Sequence, residues 1–131
     1  MNVLAIGIGG MLGSLLRFFA GKATAGWWLL GFPAGTFFVN MLGSFMLGYL
    51  TARWKKSSSI PSYLQKGIGT GLIGSFTTFS AFSVETAELI QSGRFGSASL
   101  YVLISLAGGI ILALAGYKIG AGFSKRRVAN S

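Results

Sequence analysis

Residues 71–85 read GLIGSFTTFSAFSVE, and the way this stretch folds decides the rest of the chain. It lies inside an apolar run over about residues 67–89, long enough to cross a bilayer whose hydrocarbon takes about 20 helical residues. Gly, Thr, Thr and Ser at membrane depth are poor material for a regular helix. Glycine has a high backbone entropy to lose, and the hydroxyls compete for main-chain partners. The stretch therefore predicts a helix broken midway through the membrane. Such a break exposes carbonyls and amides that need an ion, water or protein as partner. Carbonyls suit a cation and amides an anion. The alternative is a continuous helix with back-bonded hydroxyls.

Phe76, Phe79 and Phe82 recur every three residues here, interleaved with Thr77, Thr78, Ser80 and Ser83. An aromatic stripe usually means packing. A ring edge nonetheless carries positive quadrupole character, so phenylalanines beside hydroxyl and amide donors suit a small desolvated anion without a fixed cation to trap it. Permeation needs that restraint, because an ion held too well does not leave.

The rest of the chain fits a membrane. Of 131 residues 52% are hydrophobic and 10% charged, with 21 Gly and 2 Pro, and the mean hydropathy of +0.67 argues against both a soluble globule and a disordered chain. Three further apolar runs fall at about residues 3–20, 33–50 and 97–119. Together they predict a single all-α domain over residues 1–131 with four transmembrane helices. The first run follows no basic leader, so it reads as a mature helix rather than a signal peptide despite Ala23, Thr24 and Ala25. Trp27 and Trp28 read as interfacial anchors, Pro33 as a first-turn residue, Ser57–Ser59 with Pro61 as a loop, and Gly93 with Gly96 as the last turn. Gly9 with Gly13, Ser44 with Gly48, Gly67 with Gly71, and the Gly108–Gly109 pair offer small-residue contacts where helices approach closely.

The net charge of +9 comes from 11 basic and 2 acidic residues placed between the apolar runs. That pattern answers to topology and anionic lipid headgroups rather than nucleic acid. With four crossings, Arg53, Lys55, Lys56, Lys66, Lys118, Lys125, Arg126 and Arg127 share one side, and Arg17, Lys22 and Arg94 the other. The bias predicts a multi-pass protein of the cell membrane with both termini in the cytoplasm. The chain has no cysteine or histidine, which removes thiol and imidazole chemistry. Glu85 and Glu88, three apart, read as lying near a helix end in a solvated setting, so an enzyme is not expected.

Two buried-type polar residues remain. Asn40 falls mid-run with Thr36 one turn before it, and an unsatisfied amide in hydrocarbon costs several kcal/mol, so it either bonds another helix or lines a wet path. Arg17 shares a stripe with Gly10 and Gly13, where it either snorkels or draws anions into a vestibule. On the fourth run Tyr101 and Ser105 share a face that continues to Gly109, a second polar wall. These residues describe a small anion path between helices. Four short helices are too few to enclose one, which implies self-association or a partner.

The chain resembles the Fluc (CrcB) family of fluoride-specific ion channels over nearly its whole length. Gly9, Gly10, Gly13 and Arg17 are similar to the family's first-helix signature, and Gly35, Thr36, Asn40, Gly43 and Gly48 to its second. Gly71, Gly74, Thr77, Thr78, Phe79, Ser80, Phe82, Ser83 and Glu85 fall on its TTFSTFSxE pattern. Ser75, Ala81, Gly109 and Ala113 depart from the usual residues. The resemblance implies an antiparallel, dual-topology-type dimer with fluoride pores along its interface, letting cytoplasmic fluoride leave and so relieving its toxicity. It further implies Phe79 and Phe82 as pore rings, Asn40 and Ser83 as polar contacts of the anion, Tyr101 and Ser105 on a hydroxyl track, and Arg17 at the entrance. Gly74 and Thr77 would offer backbone carbonyls to a structural sodium ion. Homodimers of such a chain insert both ways, so the charge bias favours a related subunit of opposite orientation as partner. The other reading is a proton-coupled small multidrug or guanidinium exporter, which needs a carboxylate in its first helix; this first run has none.

Overall fold

An apolar segment free of proline keeps its backbone hydrogen bonds to itself, and the first run does so: α1 covers Asn2–Ala23. It ends at Thr24, whose hydroxyl donates to the Ala20 carbonyl at 2.8 Å. The computed structural model describes residues 1–24, 28–29, 32–56 and 59–129. After α1, β1 (Trp28–Leu29) pairs antiparallel with β2 (Phe32–Pro33), Trp28 opposite Pro33. Pro33 therefore closes a short strand pair and does not open a helix, and this hairpin is an addition to the all-helical architecture expected. α2 follows directly at Ala34–Lys56. Trp27 and Ser57–Ser58 lie outside the described residues.

The third run starts earlier than its hydropathy suggests. α3 (Ser62–Lys66) runs into a π-helical segment, Gly67–Ile73, then α4 (Gly74–Phe76). Thr77 and Thr78 are extended, and α5 (Phe79–Gln91) begins after them. α5 closes on Gly93, whose φ of +76° is the left-handed turn that glycine accepts most readily. Gly93 N–H bonds the Ile90 carbonyl and Arg94 N–H the Leu89 carbonyl, a Schellman end. Gly96 is not part of that turn. It lies inside α6, which runs unbroken over Phe95–Ala129 and carries the backbone of the basic residues 125–127 as helix.

Small residues set the packing. α2 lies along α6, and α1 along the π-helical segment and α4. Gly9 faces the Gly67 carbonyl and Gly13 the Leu72 carbonyl so closely that a methyl group would collide with either. Gly48 of α2 meets the Ala113 carbonyl of α6 in the same way. The core gathers Leu89, Ala98 and Tyr101, flanked by Phe32, Phe37 and Phe82.

Elsewhere the apolar surface faces outward. Leu4, Leu12 and Phe19 on α1 and Leu103, Ile111 and Leu114 on α6 are exposed, a surface that lipid or protein must cover. α1 and the Phe95–Gly122 part of α6 are long and apolar enough to cross a bilayer. The molecule is a largely helical membrane protein.

Candidate functional site

Two extended residues between two helices free several main-chain groups, and the local sequence satisfies many of them. Thr77 turns both its N–H and its hydroxyl to the Ile73 carbonyl, at 3.0 and 3.1 Å. Thr78 caps α5, its hydroxyl accepting from Ala81 N–H at 3.1 Å. The same hydroxyl lies 3.3 Å from that of Ser80. The main chain of Thr78 is met from across the fold. Asn40 Oδ1 accepts its N–H at 2.8 Å and Asn40 Nδ2 donates to its carbonyl at 3.2 Å. This two-point clamp explains a costly amide within the apolar part of α2.

Thr78, 7% exposed, stands between two cavities. The first, open and about 530 Å³, is lined among others by Asn40, Ser44, Gly74, Thr77, Thr78, Phe79, Phe82 and Ser105. Its wall is apolar and aromatic with a few neutral donors. Phe79 is 80% exposed and its ring lies 5.9 Å from that of Phe82. The second cavity, about 570 Å³, takes Arg17, Thr36, Ser80, Glu85 and Glu88 along with Thr78.

Of the residues singled out from sequence, Asn40, Phe79, Phe82, Ser105, Gly74 and Thr77 come together on the first cavity. Arg17 lies on the second. Ser83 lines neither: it is exposed, because its place on α5 turns it away from the walls that Phe82 and Ser80 join. Tyr101 is fully buried and lines neither cavity. Its ring packs behind Phe82 at 5.0 Å and edge-on to Phe32 at 5.1 Å, and its hydroxyl donates to Glu85 Oε2 at 2.9 Å. Glu85 also accepts from Thr36 at 2.6 Å. Glu85 thus sits mid-helix in a specific hydrogen-bond pair, not in the solvated helix-end setting expected; only Glu88 falls in the last turn. Thr36 and Glu85 fall on the family patterns, but the sequence reading gave them no role at the site. The signal for them was a carboxylate within an apolar run.

Gly74 opens the single turn of α4 and Thr77 caps its end, so the Gly74 carbonyl is among the last of the helix, which lack intrahelical partners. The Gly74 carbonyl accepts one long bond, from the Thr77 hydroxyl at 3.4 Å. Neutral carbonyl oxygens are the donors a hard alkali cation takes, so the chemistry of this end fits sodium.

Comparison with known proteins agrees with the geometry. Residues 4–117 match the family described as CrcB-like protein, Camphor Resistance (CrcB). The chain is 44% identical over 117 residues to the fluoride-specific ion channel FluC 2 of Geobacillus kaustophilus, covering 89% of this chain and 91% of that one. It is 45% identical over 121 residues to the fluoride-specific ion channel FluC of Oceanobacillus iheyensis, 90% of each chain. With FluC 2 of Listeria innocua it shares 42% over 128 residues, 96% of this chain and 92% of the relative. A match that spans both halves of the helix break and the residues on both sides of Thr78 leaves no other placement: the chain belongs to the CrcB-like family, a family of ion channels and not of enzymes.

Proposed function

We propose that this chain is the subunit of a fluoride channel that lets cytoplasmic fluoride leave down its electrochemical gradient and so relieves fluoride toxicity. The observation that carries the reading is the cavity where Phe79 and Phe82 meet Asn40 and Ser105 beside the extended Thr77–Thr78 joint. A fluoride ion gives up its water reluctantly. Ring edges and the amide and hydroxyl donors of Asn40 and Ser105 replace part of that shell with weak, neutral partners, which lets the ion enter and leave. Arg17, on the other side of Thr78, raises the local anion concentration at the mouth without standing among the rings.

In this reading the chain crosses four times, with the third run broken midway, so both termini share a side, and the bias of basic residues favours the cytoplasm for it. α2, 23 residues long, and the segments from α3 to α5 supply the two crossings besides α1 and α6. The open cavity needs a second subunit to close it, arranged antiparallel, and exposed Phe79 and Ser83 meet that subunit. The eight-to-three distribution of basic residues favours a related subunit of opposite orientation over a second copy. The carbonyls of Gly74 and Thr77 would hold a structural sodium ion between the two, where it would neutralise the facing helix ends.

Liposomes reconstituted with the chain alone, and with a candidate partner, are loaded with fluoride and followed with a fluoride electrode. Selective efflux supports the channel reading, and chloride efflux at an equal rate refutes the selectivity. Full conductance from the chain alone refutes the obligatory partner.

A further inference from the structure

Each carboxyl oxygen of Glu85 accepts a hydroxyl from a different helix: Oε1 from Thr36 of α2 at 2.6 Å, and Oε2 from Tyr101 of α6 at 2.9 Å. Accepting on both oxygens is the natural role of a carboxylate. The group thereby ties α2 and α6 to the middle of α5. Glu85 borders the cavity of Arg17 and not the one that holds Phe82. Its reach into the aromatic cavity runs through Tyr101. That ring is held at its hydroxyl by Glu85, edge-on by Phe32, and lies 5.0 Å from Phe82 with planes tilted by 35°. Phe82 in turn lies 5.9 Å from Phe79. Releasing the hydroxyl frees Tyr101 to rotate, and Phe82 loses the surface it leans on.

We infer that Glu85 is a positioning residue for the aromatic wall: by holding the Tyr101 hydroxyl from behind, it fixes the ring that sets where Phe82 stands in the cavity it shares with Asn40. The inference rests on the channel reading only for its consequence, since the placement of Phe82 is measurable without any flux.

The test compares Glu85→Ala, Tyr101→Phe, the double variant and Glu85→Gln in fluoride efflux from liposomes, with para-fluorophenylalanine at position 82 read by fluorine NMR in detergent. Each of the first two variants is expected to slow efflux about tenfold, the scale of one strong hydrogen bond, and the double variant to be no slower than the slower single one. The reporter at position 82 shifts or broadens in both. Glu85→Gln keeps an acceptor for Tyr101 while Thr36 turns to accept from the amide, so it recovers most of the flux and the reporter signal. Losses that multiply in the double variant, or a reporter unchanged while efflux falls, overturn the inference. If Glu85→Ala does not assemble, Tyr101→Phe breaks the same bond from its other end and decides alone. Wild-type vesicles that release no fluoride would sink the channel reading, and the reporter would still decide the role of Glu85.

Discussion

The two cavities on either side of Thr78 are similar in volume and opposite in chemistry. One is walled by Phe79, Phe82, Asn40 and Ser105, groups that carry partial charge at most; the other holds Arg17, Glu85 and Glu88. An anion path needs both qualities and cannot have them in one place, because a full charge among the rings would hold the ion it attracts. Thr78 keeps the two apart with its backbone clamped by Asn40 and its hydroxyl capping α5. The contrast separates fixed charge from a neutral aromatic wall on the two sides of one residue, the division that the proposed channel calls for.

Removing the clamp breaks this division most severely. Asn40→Leu leaves the Thr78 N–H and carbonyl without their partners, which costs about 3 kcal/mol in a setting where water does not replace them. The expected result is a large drop in the melting temperature of the purified protein with efflux abolished; unchanged melting would show that the joint holds itself. Gly13→Leu comes next, since any Cβ there meets the Leu72 carbonyl and pushes α1 from the π-helical segment. A loss of about 2 kcal/mol in stability is expected, measured by thermal unfolding in detergent.

Phe82→Ile addresses the aromatic cavity alone. Efflux is expected to fall by about tenfold or more while gel filtration shows normal assembly, because an aliphatic side chain fills the space without a positive ring edge. Normal flux would remove that ring from the path. Arg17→Gln, on the charged side, has the smallest effect: efflux is expected to fall about threefold at low ionic strength and to match wild type at high salt, where steering is screened. A loss that persists in high salt would place Arg17 in the passage itself and erase the contrast.

Much of this was legible in the chain. The glycines of the first run and those of residues 67–71 face one another as small-residue contacts should, and the expense of Asn40 in hydrocarbon left a bond across the fold or a place on a cavity wall, of which the structure shows both. What escaped was phase. Periodicity places Phe76, Phe79 and Phe82 on one stripe, but two extended residues intervene after Phe76 and reset the direction of the next helix, so Phe79 and Phe82 share a cavity that Phe76 does not line. Ser83, which the resemblance puts beside the anion, is exposed on α5 and lines neither cavity of the single chain. Glu85 was hidden because its partners, Thr36 and Tyr101, lie 49 and 16 residues away, and no local pattern joins three helices at one carboxyl group.

α6 is a rod of 35 residues, about 52 Å long at about 1.5 Å per residue. A hydrocarbon layer of about 30 Å takes in little more than half of it, so the helix leans, protrudes, or does both. Its inclination then varies with the thickness of the host bilayer. Ser105 and Tyr101 lie on that helix, so lipid chain length is expected to change how deep they sit in the membrane.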